Sequence, residues 1–135
     1  MNSPNIEKLR DLTSKLMSLQ DLVRNGNGVT YKEYAVQNGT SFGFGLYDTP
    51  EVAVQRVFMS KDSIFPEHIH AEREWGIVYK GKIIMEYEGT EQTLGVGDCM
   101  FFEADAPHRG RVLEDTWVIF ITVPAGEGYP HGKSA

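Results

Sequence analysis

A chain of 135 residues, 41% hydrophobic and 24% charged, is long enough to bury a core of its own and has the composition of an ordinary globular domain. Its net charge of −6, with no run of Lys or Arg, argues against nucleic acid and anionic membranes as partners, and no apolar stretch approaches bilayer-spanning length. The single cysteine, Cys99, can form no internal disulfide, which together with the polar start Met1-Asn2-Ser3-Pro4-Asn5 points to a reducing, cytoplasmic compartment.

Ser3 and Pro4 suit a helix start, because Ser caps free amides and Pro is tolerated at the first helical position. Ile6, Leu9, Leu12, Leu16, Leu19 and Leu22 or Val23 then recur every three or four residues between charged positions. The spacing predicts an amphipathic helix of about five turns, ended by Arg24-Asn25-Gly26-Asn27-Gly28. Residues 1–28 thus read as a helix and its cap, packed on the same domain or offered to a second copy.

From Val29 the texture changes to short β-rich runs divided by turn residues. These runs are Val29 to Val36, Ser41 to Tyr47 and Glu51 to Ser60, with Lys61 to Pro66 as a loop. Gly43 and Gly45 alternate with apolar residues, which suggests a bend or a close approach from a neighbouring strand. Trp75 to Tyr79 is expected to pair with Lys82 to Tyr87 across Lys80-Gly81, and Glu88-Gly89 turns the chain into Gln92 to Leu94. Cys99 to Glu103 follows, with Cys99 expected as a small buried hydrophobe, then a loop at Ala104 to Pro107 and a last strand at Trp117 to Val123. Strands at this interval predict an antiparallel sandwich or barrel over residues 29–123, and residues 124–135, which contain His131, form a tail without periodicity.

His68 and His70 stand two residues apart in a segment that reads as extended, which puts both on one side of it, and Glu72 and Glu74 share that parity. Imidazole nitrogen and carboxylate oxygen are good donors to divalent first-row metals, and His108 adds a third imidazole after a Pro-containing loop. Gly76, two residues past Glu74, is expected either to leave pocket volume beside such a site or to accommodate a bend. Tyr47, Arg56, Tyr87 and Trp117 are candidate walls of a barrel mouth, with Arg109 and Arg111 as possible anion partners. No Gly-rich phosphate loop links a strand to a helix, and no Ser or Cys stands in a nucleophile context.

The sequence resembles the cupin superfamily. Its first motif places Gly, five residues, His-x-His, three or four residues, Glu, six residues and Gly in order. His68, His70, Glu74 and Gly81 match at the required spacing, with Asp62 in place of the first Gly. The second motif runs Gly, five residues, Pro, one residue, Gly, two residues, His, three residues and Asn. Gly97 and His108 match it, while Glu103, Asp105 and Val112 replace Pro, Gly and Asn.

The resemblance implies a double-stranded β-helix holding one divalent ion, such as Fe, Mn, Ni or Zn, through His68, His70, Glu74 and His108, in a small protein that forms homodimers. It also implies an enzyme acting on a small oxygen-rich or carboxylated molecule, with dioxygenase-like chemistry preferred on family frequency. A non-catalytic ligand-binding or sensor protein, and an isomerase or lyase using the same centre, are the alternatives.

Overall fold

The computed structural model describes residues 30–125 and 133–134. The expected N-terminal helix and His131 lie outside these residues. In chain order the strands are β1 (Thr30–Tyr34), β2 (Ser41–Asp48), β3 (Ala53–Met59), β4 (Ile64–Ile69), β5 (Arg73–Lys80), β6 (Lys82–Tyr87), β7 (Thr90–Gly95), β8 (Cys99–Phe102), β9 (His108–Val112), β10 (Thr116–Val123) and β11 (Lys133–Ser134). They form a six-stranded sheet in the order β1-β2-β3-β10-β5-β8 and a five-stranded sheet in the order β11-β4-β9-β6-β7, with antiparallel pairings throughout. The all-β architecture is the double-stranded β-helix expected from the sequence. No described helix is long and apolar enough to cross a membrane.

Period-two alternation decides what each strand buries. Val57 and Met59 of β3, Val78 of β5, Met100 and Phe102 of β8 and Val118 of β10 meet Phe65, Ile83, Met85, Leu94 and Val112 of the other sheet in one core. Val78 and Val118 have no exposed surface, and burying a side chain of this size contributes about 1.5–3 kcal/mol. On its outer face the six-stranded sheet carries a second cluster around Leu46, Val54 and Ile121.

Two expectations are corrected. Trp75 to Tyr79 does not form a hairpin with Lys82 to Tyr87: β5 pairs with β10 and β8, and β6 with β7 and β9. Gly81, at φ +94°, carries the chain from one sheet to the other, and a Cβ there would stand 2.3 Å from the Asp115 carbonyl oxygen. Cys99 is exposed rather than buried, because Met100 and Phe102 take the inward parity of β8.

The turns account for the motif departures. Gly81 and Gly97 have positive φ, and so do Asp62 (φ 71°) and Asp105 (φ 58°), the residues that stand where the motif has Gly. Asp tolerates the left-handed region better than most residues, so both turns keep their shape. The Asp105 amide also donates to the His70 carbonyl oxygen at 2.8 Å, tying the second motif's turn to the first motif's histidines.

Candidate metal centre

His68 and His108 face each other across the β4–β9 ladder, after a register shift between Phe65 and His68. Bulges of this kind re-aim side chains, and both Phe65 and His68 are buried although an odd number of positions separates them. His70 follows β4, the chain bends at Ala71 and Glu72, and Glu74 enters on β5 in the opposite sheet. The single extended segment expected across His68, His70 and Glu74 is therefore broken, since the bend moves Glu74 to the facing wall. His68, His70 and His108 each offer a ligand atom within 4.8 Å of the others.

Backbone carbonyls set the tautomer of all three rings. The Nδ1 atoms of His68, His70 and His108 lie 2.8, 2.9 and 3.0 Å from the carbonyl oxygens of Pro66, Glu72 and Ala106. A carbonyl only accepts, so each Nδ1 carries the proton and each Nε2 presents a lone pair. Phe102 stacks flat on His108, with centroids 4.0 Å apart and planes 4° apart. The Glu74 Oε1 atom lies 3.6 Å from His70 Nε2 and 4.0 Å from His108 Nε2, within ionic reach and beyond hydrogen bonding. His70 Nε2 is buried without a hydrogen-bond partner.

Burial pushes His108 down to about 4, helped by the nearby His68, and burial likewise lowers His68. For His70, burial is the largest single influence and pulls downward. The Glu74 carboxylate and the Glu72 carbonyl together outweigh it and raise the group. The cluster thus combines imidazoles kept neutral by burial with a carboxylate that favours positive charge among them. That donor set fits a divalent cation, which would take the place a proton otherwise fills.

The cavity beside the cluster is about 50 Å³ and mostly apolar. His68, Glu74 and His108 line it along with Phe65, Met85, Phe102 and Phe120, and with the polar residues Tyr34, Gln55 and Thr122. Tyr34 donates its phenol hydrogen to Gln55 Oε1. Its pKa is raised to about 12 by burial and then by the Glu74 charge.

Neither Gly76 nor any of the four wall candidates read from the sequence lines this cavity. Gly76 faces inward but opens no volume, because a Cβ there would stand 2.8 Å from Phe120 Cε1 and 2.9 Å from Met100 Cγ. Tyr47 packs on the outer cluster, and Arg56 lies over the Trp117 ring, 4.5 Å from its centroid. Tyr87 packs edge-on against Phe102, behind the wall. Arg109 and Arg111 are exposed, within ion-pair distance of Glu86 and Glu91.

The sequence did carry a signal for the missed Gln55. It shares parity with Ala53, Val57 and Met59, a polar residue on an otherwise apolar strand face. Tyr34 and Thr122 had no comparable signal.

Residues 56–124 match the family model described as Cupin domain, and no curated protein matches the sequence significantly. Similar solved structures include KdgF from Halomonas sp., at 24% identity and TM-score 0.64, covering 70% of this chain and 89% of that one. An RmlC-like cupin from Shewanella frigidimarina NCIMB 400 follows at 18% identity and TM-score 0.65, with coverages of 74% and 89%. An oxalate decarboxylase from Bacillus subtilis, studied for its Mn(II) centres, aligns at 16% identity and TM-score 0.63 over 77% of this chain and 30% of that one. Identities this low speak for the fold alone. Because the family match runs over half of the chain, from the middle of β3 to the end of β10, and takes in both histidine motifs, this chain belongs to the cupin family.

Proposed function

We propose that the protein is a metal-dependent enzyme. In this reading His68, His70, Glu74 and His108 hold one divalent transition-metal ion, and a small oxygen-bearing or carboxylated molecule reacts in the adjoining cavity. The observation that carries it is His70 Nε2, a buried lone pair without a hydrogen-bond partner, 3.6 Å from a buried carboxylate oxygen and beside two more imidazoles. When bound, the ion supplies Lewis acidity and open coordination positions.

The chain's own part is to orient and enclose. Three carbonyls hold the imidazoles in the donor tautomer, Glu74 offsets positive charge, and apolar side chains exclude bulk water. Fe, Mn, Ni and Zn all suit these donors, and the Mn(II) centres of the structurally similar oxalate decarboxylase support Mn among them. An apolar wall free of Lys and Arg among the described residues supports dioxygenase-like chemistry over reactions of multiply charged substrates.

The test is metal analysis of protein purified without added metal, followed by oxygen-uptake measurements with small catechols, thiols and keto acids. About one ion per chain is expected, lost in His70→Ala and bound at least about 10-fold more weakly in Glu74→Gln, where a coulombic partner is removed. Metal uptake indifferent to these changes would refute the centre. A non-catalytic ligand-binding or sensor protein is the second reading. It is favoured because, among the described residues, the cavity has no acid or base beyond the metal-binding set, Tyr34 being pushed up to about 12. Tight ligand binding without turnover would select it over the enzyme, whether dioxygenase, isomerase or lyase.

A further inference from the structure

Across the cavity from His68 and His108, the six-stranded sheet presents a short polar strip in an otherwise apolar wall. Thr122 of β10 stands opposite Glu74 of β5 in register. Gln55 lies on the neighbouring β3, and Tyr34 reaches over from the edge strand β1. The three residues are 3%, 8% and 7% exposed, and all line the same cavity as His68, Glu74 and His108.

Two features show that this strip is shaped for something other than packing. The first is Thr122 Oγ1, which is buried with no hydrogen-bond partner, although nearly all buried polar groups in folded proteins have one. The second is the route of Tyr34. Its ring crosses the inner face of β2 at Gly43, where a Cβ would stand 3.0 Å from Tyr34 Cε2 and 3.1 Å from Val57 Cγ2. A glycine on the middle strand makes room for a tyrosine on the edge strand to reach the carboxamide of Gln55 on the third. With its proton donated to Gln55 Oε1, the phenol oxygen keeps acceptor capacity, Gln55 keeps its N–H donors, and Thr122 can do either.

We propose that Tyr34, Gln55 and Thr122 form a hydrogen-bonding subsite that receives a neutral oxygen, hydroxyl or carbonyl, of a short monocarboxylate whose charged end is held at the histidine cluster. This rests on the metal-centre reading above and adds the substrate class to it. The charge pattern decides between one carboxylate and two. Among the described residues, Glu74 is the only carboxylate on the cavity wall, and no Lys or Arg lines it. A second carboxylate on the ligand would enter an apolar wall beside Glu74 with no counter-charge, whereas a hydroxyl or carbonyl meets matched donors and acceptors. A volume of about 50 Å³ and neighbours such as Phe120 and Val57 leave room for a short alkyl group and little more.

The experiment uses the full chain loaded with Co(II), read by isothermal titration and by the cobalt absorption spectrum, with lactate, propionate and malonate as probes. Lactate is expected to bind at least 10-fold more tightly than malonate. Thr122→Val and Tyr34→Phe, both close in shape to the residues they replace, are each expected to weaken lactate at least fivefold while propionate changes less than twofold and cobalt uptake is unaltered. Equal effects on lactate and propionate, no effect on either, or malonate preferred over lactate would overturn the subsite with the metal centre intact. Failure of the unaltered chain to take up cobalt would overturn both.

Discussion

Phe102 lies flat on His108, with ring centroids 4.0 Å apart and planes 4° apart, while the Ala106 carbonyl accepts from Nδ1 of the same imidazole. A ring held from its face and its edge has little freedom to turn, so its Nε2 direction is set before any ion arrives. Phe102→Leu keeps the position apolar and removes the stack. Weaker metal binding, by about 10-fold, is expected from the loss of such support, with the far-ultraviolet circular dichroism unchanged. Unaltered affinity would show that the stack is packing alone.

The metal-free protein should be most stable near neutral pH. His108 is depressed to about 4 when folded, against an ordinary value near 6.5, so between those values the unfolded chain binds the proton and the folded one does not. Its contribution is complete above about 6.5 and is lost as pH falls toward 4, on the order of 3 kcal/mol, with His68 acting in the same direction. His70 is raised, so it acts oppositely and lowers stability as pH climbs through its folded value. Denaturant titrations of chelator-treated protein from pH 4 to 8 should show the acid-side loss, and His108→Gln should flatten it. A flat profile in the unaltered chain would contradict the sign.

Asp62 and Asp105 hold left-handed turns at φ 71° and 58°. Glycine reaches that region without a Cβ penalty, so Asp62→Gly and Asp105→Gly are each expected to stabilise the fold by about 0.5–1 kcal/mol, seen as a higher denaturant midpoint. Asp105→Gly leaves the amide that donates to the His70 carbonyl in place, so metal affinity should hold. A lower midpoint would mean that the Asp side chains do more than tolerate the turn.

We propose that the outer face of the six-stranded sheet, rather than the helix read over residues 1–28, carries the contact of the homodimer that the family resemblance implies. Trp75 and Phe101 pair there at 4.8 Å between centroids, each 39% exposed, and Ile77 and Tyr79 continue the exposed strip along β5. Apolar side chains grouped at this exposure mark association surfaces. Sedimentation equilibrium is expected to find a dimer that Trp75→Lys with Phe101→Lys converts to monomer without loss of metal. A monomeric unaltered chain would end the proposal.

The alternation of apolar and polar residues and the spacing of turn signals were enough to read an antiparallel barrel, because strand periodicity and turn chemistry are local properties. The His-x-His spacing and its distance to His108 were legible for the same reason. Pairing was not. The Lys80-Gly81 turn looks like a hairpin in isolation, and only closure of two sheets shows it passing the chain from one to the other. Strand β9 leaves little trace in the sequence, because Arg109 and Arg111 alternate with a glycine that gives no apolar mark.

The sequence by itself determined the three imidazoles, the carboxylate near them and the fold class that gathers them. Only the tertiary structure decided which wall faces them. Which face of a strand points inward, and which distant side chain fills the space above a glycine, follow from how the sheets close. Closure puts Phe120 and Met100 over Gly76, sends Arg56 and Trp117 to the outside, and turns Tyr34, Gln55 and Thr122 toward the histidines.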